Sequence, residues 1–257
     1  QLMINASSPG DEVWVAAGTY KPTTGTDRNI SFSMKNGVAI YGGFNGGETA
    51  LTSRPSPLAS TILSGDIGTV GDNSDNSYHV VFNNDNGLDN SAVLNGFTIT
   101  AGNESRNFPD GFGGGMYNIG VSPTITNCIF TGNTATYGGG MYNNDGSPTV
   151  NNCIFSANTT TNSGGAMSFV LSSSQVTNCT FYGNTSPGGS VMHNLSASPV
   201  LTNCILWGNN GNLVSNQGNS TPVITYSITQ DGFAGTGNLE TDPLFVDAAN
   251  GDFRLQV

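Results

Sequence analysis

Cations are scarce in this chain. Over 257 residues, 6 Lys+Arg stand against 17 Asp+Glu, giving a net charge of −11 at pH 7. Phosphate binding needs clustered Lys and Arg, so nucleic acid is excluded as a partner. The same balance repels a polyanionic sugar unless calcium bridges the two. No apolar run reaches the ~18 residues of a membrane-crossing helix. Charged residues of both signs make up only 9% of the chain, whereas a disordered chain would carry more. The sequence opens at Gln1, without an initiator Met, and stops at "FRLQV". It is expected to be a piece of a longer exported protein, with further domains beside it and an extracellular or cell-surface location.

What is present is repetition. Cys128, Cys153, Cys179 and Cys204 recur at intervals of 25, 26 and 25. Asn127, Asn152, Asn178 and Asn203 precede them, and Phe130, Phe155, Phe181 and Leu206 follow. Asn133, Asn158, Asn184 and Asn209 come next, then glycine pairs at Gly114, Gly139, Gly164 and Gly188. A fixed period of this length marks stacked units. Short alternating runs punctuated by Gly and Asn read as strands, and no helix of ordinary length fits. Each repeat therefore makes one coil of three short strands, with equivalent strands pairing in parallel ~4.8 Å apart. Ile125, Cys128 and Phe130 point inward, and Asn127 takes a left-handed bend that asparagine tolerates.

The segments "CIFTGNTATYGGGMYN" and "CIFSANTTTNSGGAM" resemble the repeats of right-handed parallel β-helix proteins, including those of polymorphic outer membrane proteins. The stretch "SSPGDEVWVAAGTYKPT" resembles the first coils of secreted, pectate-lyase-like members. "TDPLFVDAANGDFRLQV" is similar to their last coil. The resemblance implies an all-β, single-stranded right-handed β-helix of about nine coils over residues 1–257. Residues 1–12 read as the remnant of an N-terminal cap and 13–103 as irregular coils. Residues 104–113 are a loop insertion, 114–210 the regular coils, and 211–257 the terminal coils of a truncated domain. Members of such families include lyases, glycosidases and adhesins, so the fold leaves function open.

Four cysteines in an exported chain invite two disulfides. Equivalent positions of parallel coils keep their Cβ atoms near ~4.8 Å, beyond the usual disulfide range. A column of buried free thiols is the expectation.

Sheet alternation places Gly115, Tyr117, Gly140, Tyr142, Ala166, Ser168, Ser190 and Met192 on the face where pectate-lyase-like enzymes hold substrate. None can exchange a proton near neutral pH, and Asp145 is the sole acidic residue between 122 and 210. His193 falls at a strand end, in the column of Asn118 and Asn143. The expected role is thus a non-catalytic stalk or adhesin that presents a carbohydrate-binding surface. Tyr182 and Trp207 form one aromatic pair for that role, and Tyr117 and Tyr142 another. The alternative is a polysaccharide lyase or glycosidase with its site in the N-terminal half, where Asp66, Asp72, Asp75, His79 and Arg106 are the candidates. Ice binding is a weaker alternative: outward Thr124, Thr126 and Thr149 begin a Thr array that soon lapses. No cofactor is required, although Asp66, Asp72, Asn73 and Asp75 offer hard oxygens suited to calcium, with Asp85 and Asp89 in the next loop.

Overall fold

The computed structural model describes residues 1–55, 60–106 and 110–256. Three parallel sheets wind into a β-helix whose first and second faces each carry eight strands. Eight full coils result among the described residues, where about nine were expected: Leu239 still pairs in parallel with Ile228 on the second face, and the residues beyond it leave the helical path. They close into an antiparallel hairpin, Phe245–Asp247 with Asp252–Leu255, in place of a last coil. Gly251 makes its left-handed turn at φ 81°.

Every regular coil repeats the same local solution. Asn127, Asn152, Asn178 and Asn203 adopt φ of 52°, 52°, 55° and 55°, the left-handed bend between first and second faces. The next bend uses Gly132, Gly183 and Gly208, with Ala157 forced to the same conformation at φ 52°. The third corner needs glycine outright: at Gly138, φ is 65° and an added Cβ would lie 2.5 Å from the Met141 carbonyl oxygen. Three coils place two short strands on the third face, Asn103–Glu104 with Met116–Ile119, Thr134–Tyr137 with Met141–Asn144, and Thr159–Ser163 with Met167–Val170. In the following coil they merge into Thr185–Leu195.

The core is built from columns. The rings of Phe130 and Phe155 stack at 4.7 Å and 2°, and Phe155 and Phe181 at 5.2 Å and 12°. Cys128, Cys153, Cys179 and Cys204 are free and buried, each Sγ donating to a backbone carbonyl within its own coil. Burial pushes the Cys153 thiol well above its ordinary pKa. Buried asparagines solve the polar problem of the interior. Asn133 Nδ2 donates to Asn158 Oδ1 at 3.1 Å, Asn158 to Asn184 at 3.0 Å, and Asn184 to Asn209 at 2.9 Å. At the N-terminal end a short helix, Leu2–Ala6, lays Ile4 against the core. It covers an end that would otherwise expose unsealed apolar side chains.

Candidate functional site

The outer column of the third face reads Phe82, Tyr117, Tyr142, Ser168, His193 and Ser215, one residue per coil in register. This corrects the expected register of one coil. Met192 is not outward; it pairs with Met167 inside and is 1% exposed. Aligning the fourth repeat on its glycine pair misplaces it, because the extended strand Thr185–Leu195 carries glycines at different positions. Counting from the asparagine would have found it: Met192 stands eight residues after Asn184, as Met141 does after Asn133. An imidazole therefore sits on a face expected to lack one.

His193 is 3% exposed, and its Nδ1 lies 2.9 Å from Ser168 Oγ. Burial holds its pKa below the usual histidine value. Its Nε2 has no hydrogen-bond partner among the described residues.

Aromatic rings crowd the same face. Tyr117 and Tyr142 meet edge-on, centroids 5.3 Å apart, and Phe82 lies 5.3 Å from Tyr117. Phe112 arrives from the insertion and packs 4.5 Å from Tyr142, which keeps only 6% of its surface open. Tyr117, Phe82 and Phe112 stay partly exposed. Burial first, then Asp110 and Glu104, pushes the Tyr117 hydroxyl up to about 12. It is no base near neutral pH.

Two of the expected catalytic candidates, His79 and Arg106, converge on a residue that the sequence reading passed over. Glu104 does not open the insertion loop. It lies on a short strand, Asn103–Glu104, paired with Thr134–Ala135. Its side chain is fully buried, and Arg106 clamps it with Nε to Oε1 at 2.8 Å and Nη2 to Oε2 at 2.6 Å. His79 Nε2 approaches Oε2 at 3.8 Å, and its Nδ1 lies 2.9 Å from the Gly113 carbonyl oxygen. Burial lowers the His79 pKa, with Gly113 and Glu104 acting the other way. Arg106 also caps the Tyr78 ring at 3.8 Å and pairs with Asp110 at 3.3 Å. A glycosidase acid must reach a glycosidic oxygen and give up a proton. Glu104, sealed beneath a bidentate Arg106, cannot do this; it anchors the insertion. A Glu two residues before an Arg was the available signal.

The carboxylates expected to share calcium do not come together. Asp66 accepts from the Gly71 amide and faces Lys21 at 3.8 Å. Asp72 accepts from Ser74, whose hydroxyl and amide hold its pKa below the ordinary carboxylate value. Asp75 accepts from the Thr69 amide, and Asn73 Oδ1 accepts from Asn76 at 3.4 Å. Asp89 accepts from Ser91. Each acts locally as a turn residue. Among the described residues no three His, Cys, Asp or Glu side chains gather as metal ligands.

Tyr182 and Trp207 are neighbours in register, as expected. The terminal hairpin lies on this face against Tyr182, while Trp207 stays partly exposed beside it. Tyr182 meets Phe245 edge-on at 5.9 Å and Phe253 at 5.4 Å. On the first face, Thr124 and Thr149 are followed in their column by Gln175, Val200 and Val223, so the Thr array ends there.

This winding of short parallel strands, with its bends and asparagine columns, is that of a right-handed β-helix. The chain belongs to that family: the model described as the right handed beta helix region matches residues 60–229. No curated protein and no solved structure matches the chain.

Proposed function

We propose that the chain is a non-catalytic β-helix module of an extracellular or cell-surface protein, binding neutral carbohydrate along its third face. One observation carries this reading: Phe82, Tyr117 and Phe112 form a partly open aromatic strip aligned with the helix axis. Sugar rings present apolar faces that stack on such rings, while their hydroxyls stay in water. The net charge of −11 favours a neutral polymer over a uronate. Cleavage is the less supported reading, since the buried carboxyl of Glu104 is occupied by Arg106. No helix among the described residues is long and apolar enough to cross a membrane.

Affinity electrophoresis against soluble xylan, β-glucan and pectate tests the proposal. Retardation is expected with a neutral polymer and should fall about fivefold or more in Tyr117→Ala, the loss of one stacking ring. Equal retardation of wild type and variant would remove the strip from the account. Release of reducing ends or unsaturated products, abolished in His79→Ala, would replace the proposal with an enzyme.

A further inference from the structure

Between the terminal hairpin and the body of the β-helix lies a cleft of about 590 Å³ that shares no residue with the aromatic strip. Asn127, Asn152 and Asn178 line it from the bend between the first and second faces. Asp252, Phe253 and Arg254 line it from the hairpin.

The three asparagines are exposed, and their amides are only partly used. Asn152 Nδ2 donates to Asn127 Oδ1 at 2.6 Å, but Asn178 turns aside and donates to Asn151 Oδ1 at 2.8 Å. The ladder breaks there. Among the described residues nothing donates to Asn152 Oδ1, which is left as an open acceptor. Across the cleft, Arg254 gives Nε and Nη2 to the Asp252 carboxylate at 2.8 and 2.6 Å, and its Nη1 stays available as a donor. These two charges cancel, so the cleft is neutral on a chain of net charge −11. Phe253 packs 5.4 Å from both Tyr182 and Phe245 and keeps part of its ring open.

This chemistry selects a ligand by elimination. An ion gains little from charges that are already paired. A purely apolar ring would strip water from the amides and leave them without partners. A sugar hydroxyl both donates and accepts, which suits an open amide oxygen facing a guanidinium donor. The apolar face of its ring can rest on Phe253. The volume lies within the ~300–1,000 Å³ of ligand sites. Asp252, held down to about 2 chiefly by its hydrogen bonds from Arg254, stays ionised and cannot supply the proton that glycosidic cleavage needs.

We propose that this cleft binds a neutral oligosaccharide, its hydroxyls on the amides of Asn152 and Asn178 and on Arg254, and one ring against Phe253. It shares the ligand class of the strip at Phe82, Phe112 and Tyr117 but none of its residues, so each site can fail without the other.

The isotope-labelled whole chain, titrated with xylohexaose, cellohexaose and hexagalacturonate and followed through its asparagine side-chain amide signals, tests the proposal. A neutral hexasaccharide is expected to shift the Asn152 and Asn178 amides, and hexagalacturonate to leave them in place. Asn152→Gly keeps a residue suited to the left-handed bend and should weaken binding about fivefold or more. Ile129 also lines the cleft and is 36% exposed, so Ile129→Trp should fold and block it. Tyr117→Ala should leave these shifts unchanged. Wild-type binding in both Asn152→Gly and Ile129→Trp overturns the cleft, and loss of binding in Tyr117→Ala alone returns the sugar to the strip. Amides unmoved by either neutral sugar also overturn the proposal, and shifts produced instead by N-acetyltriglycine amide would make the cleft a peptide site.

Discussion

Two columns of asparagine run along the interior of this β-helix, and only one is continuous. Behind the second face, Asn133, Asn158, Asn184 and Asn209 hand hydrogen bonds from coil to coil without a gap. Behind the third face, Asn83 donates to Asn118 and Asn118 to Asn143, each at 2.9 Å. There Phe169 takes the next position, and the column resumes only with Asn194 donating to Asn216. The interruption leaves Asn143 Nδ2 and Asn194 Oδ1 buried without partners, one on either side of the ring. A repeat satisfies its interior amides collectively, so one departure orphans two groups at once.

The largest expected effect comes from removing the interrupting ring. Phe169 is fully buried, and Phe169→Ala should lower unfolding stability by ~3–5 kcal/mol in urea titration, leaving a cavity between two unpaired amides. Cutting the intact column comes next. Asn158 donates to the Phe130 carbonyl and Asn184 Oδ1, and accepts from the Asn133 amide and Nδ2. Asn158→Ala should cost ~2–4 kcal/mol in the same titration. A cost below ~1 kcal/mol would mean that the columns are decoration.

Repair sharpens the comparison further. Asparagine at 169 can accept from Asn143 and donate to Asn194, making the second column resemble the first. Phe169→Asn should therefore be ~1–2 kcal/mol more stable than Phe169→Ala, although its side chain fills less of the core than phenylalanine. Equal stability of the two variants would show that the orphaned amides are satisfied by other means.

Smaller effects follow from the histidines. His79 and His193 both have pKa values depressed by burial, so the unfolded chain takes up protons first as pH falls. Their contribution to stability is complete above the unfolded value of about 6.5 and is lost as pH drops through the window below it. The melting temperature should therefore fall between pH 7.5 and 5.5, and fall less in His193→Gln. The smallest expected effect is that of chelator. Asp66, Asp72 and Asp75 bond their own loop, so the transition should coincide in calcium and in chelator. A higher melting temperature in calcium would return an ion to that loop.

The fold was legible because it is written in columns. Cysteine, phenylalanine and asparagine recur at nearly constant spacing, and Asn127 and its equivalents take the bend that their chemistry permits. Positions where the spacing slips were not legible. His193 was assigned one residue off because glycine can turn a corner from more than one place in a strand. Glu104 was hidden for a different reason: the Arg two residues on hints at a pair, but nothing in a loop-like stretch shows that the pair is buried. The closing hairpin was unreadable as such, since "VDAANGDFRLQV" reads equally as another coil until the face it covers is known.

A rod built this way transmits force along cords of amides as well as through its stacked rings. Under tension, the cord behind the second face shares the load across four coils, whereas the one behind the third face is severed at Phe169. At residues 167–170 the third face therefore hands load from coil to coil through its backbone ladder and the packed ring of Phe169, with no side-chain amide to share it.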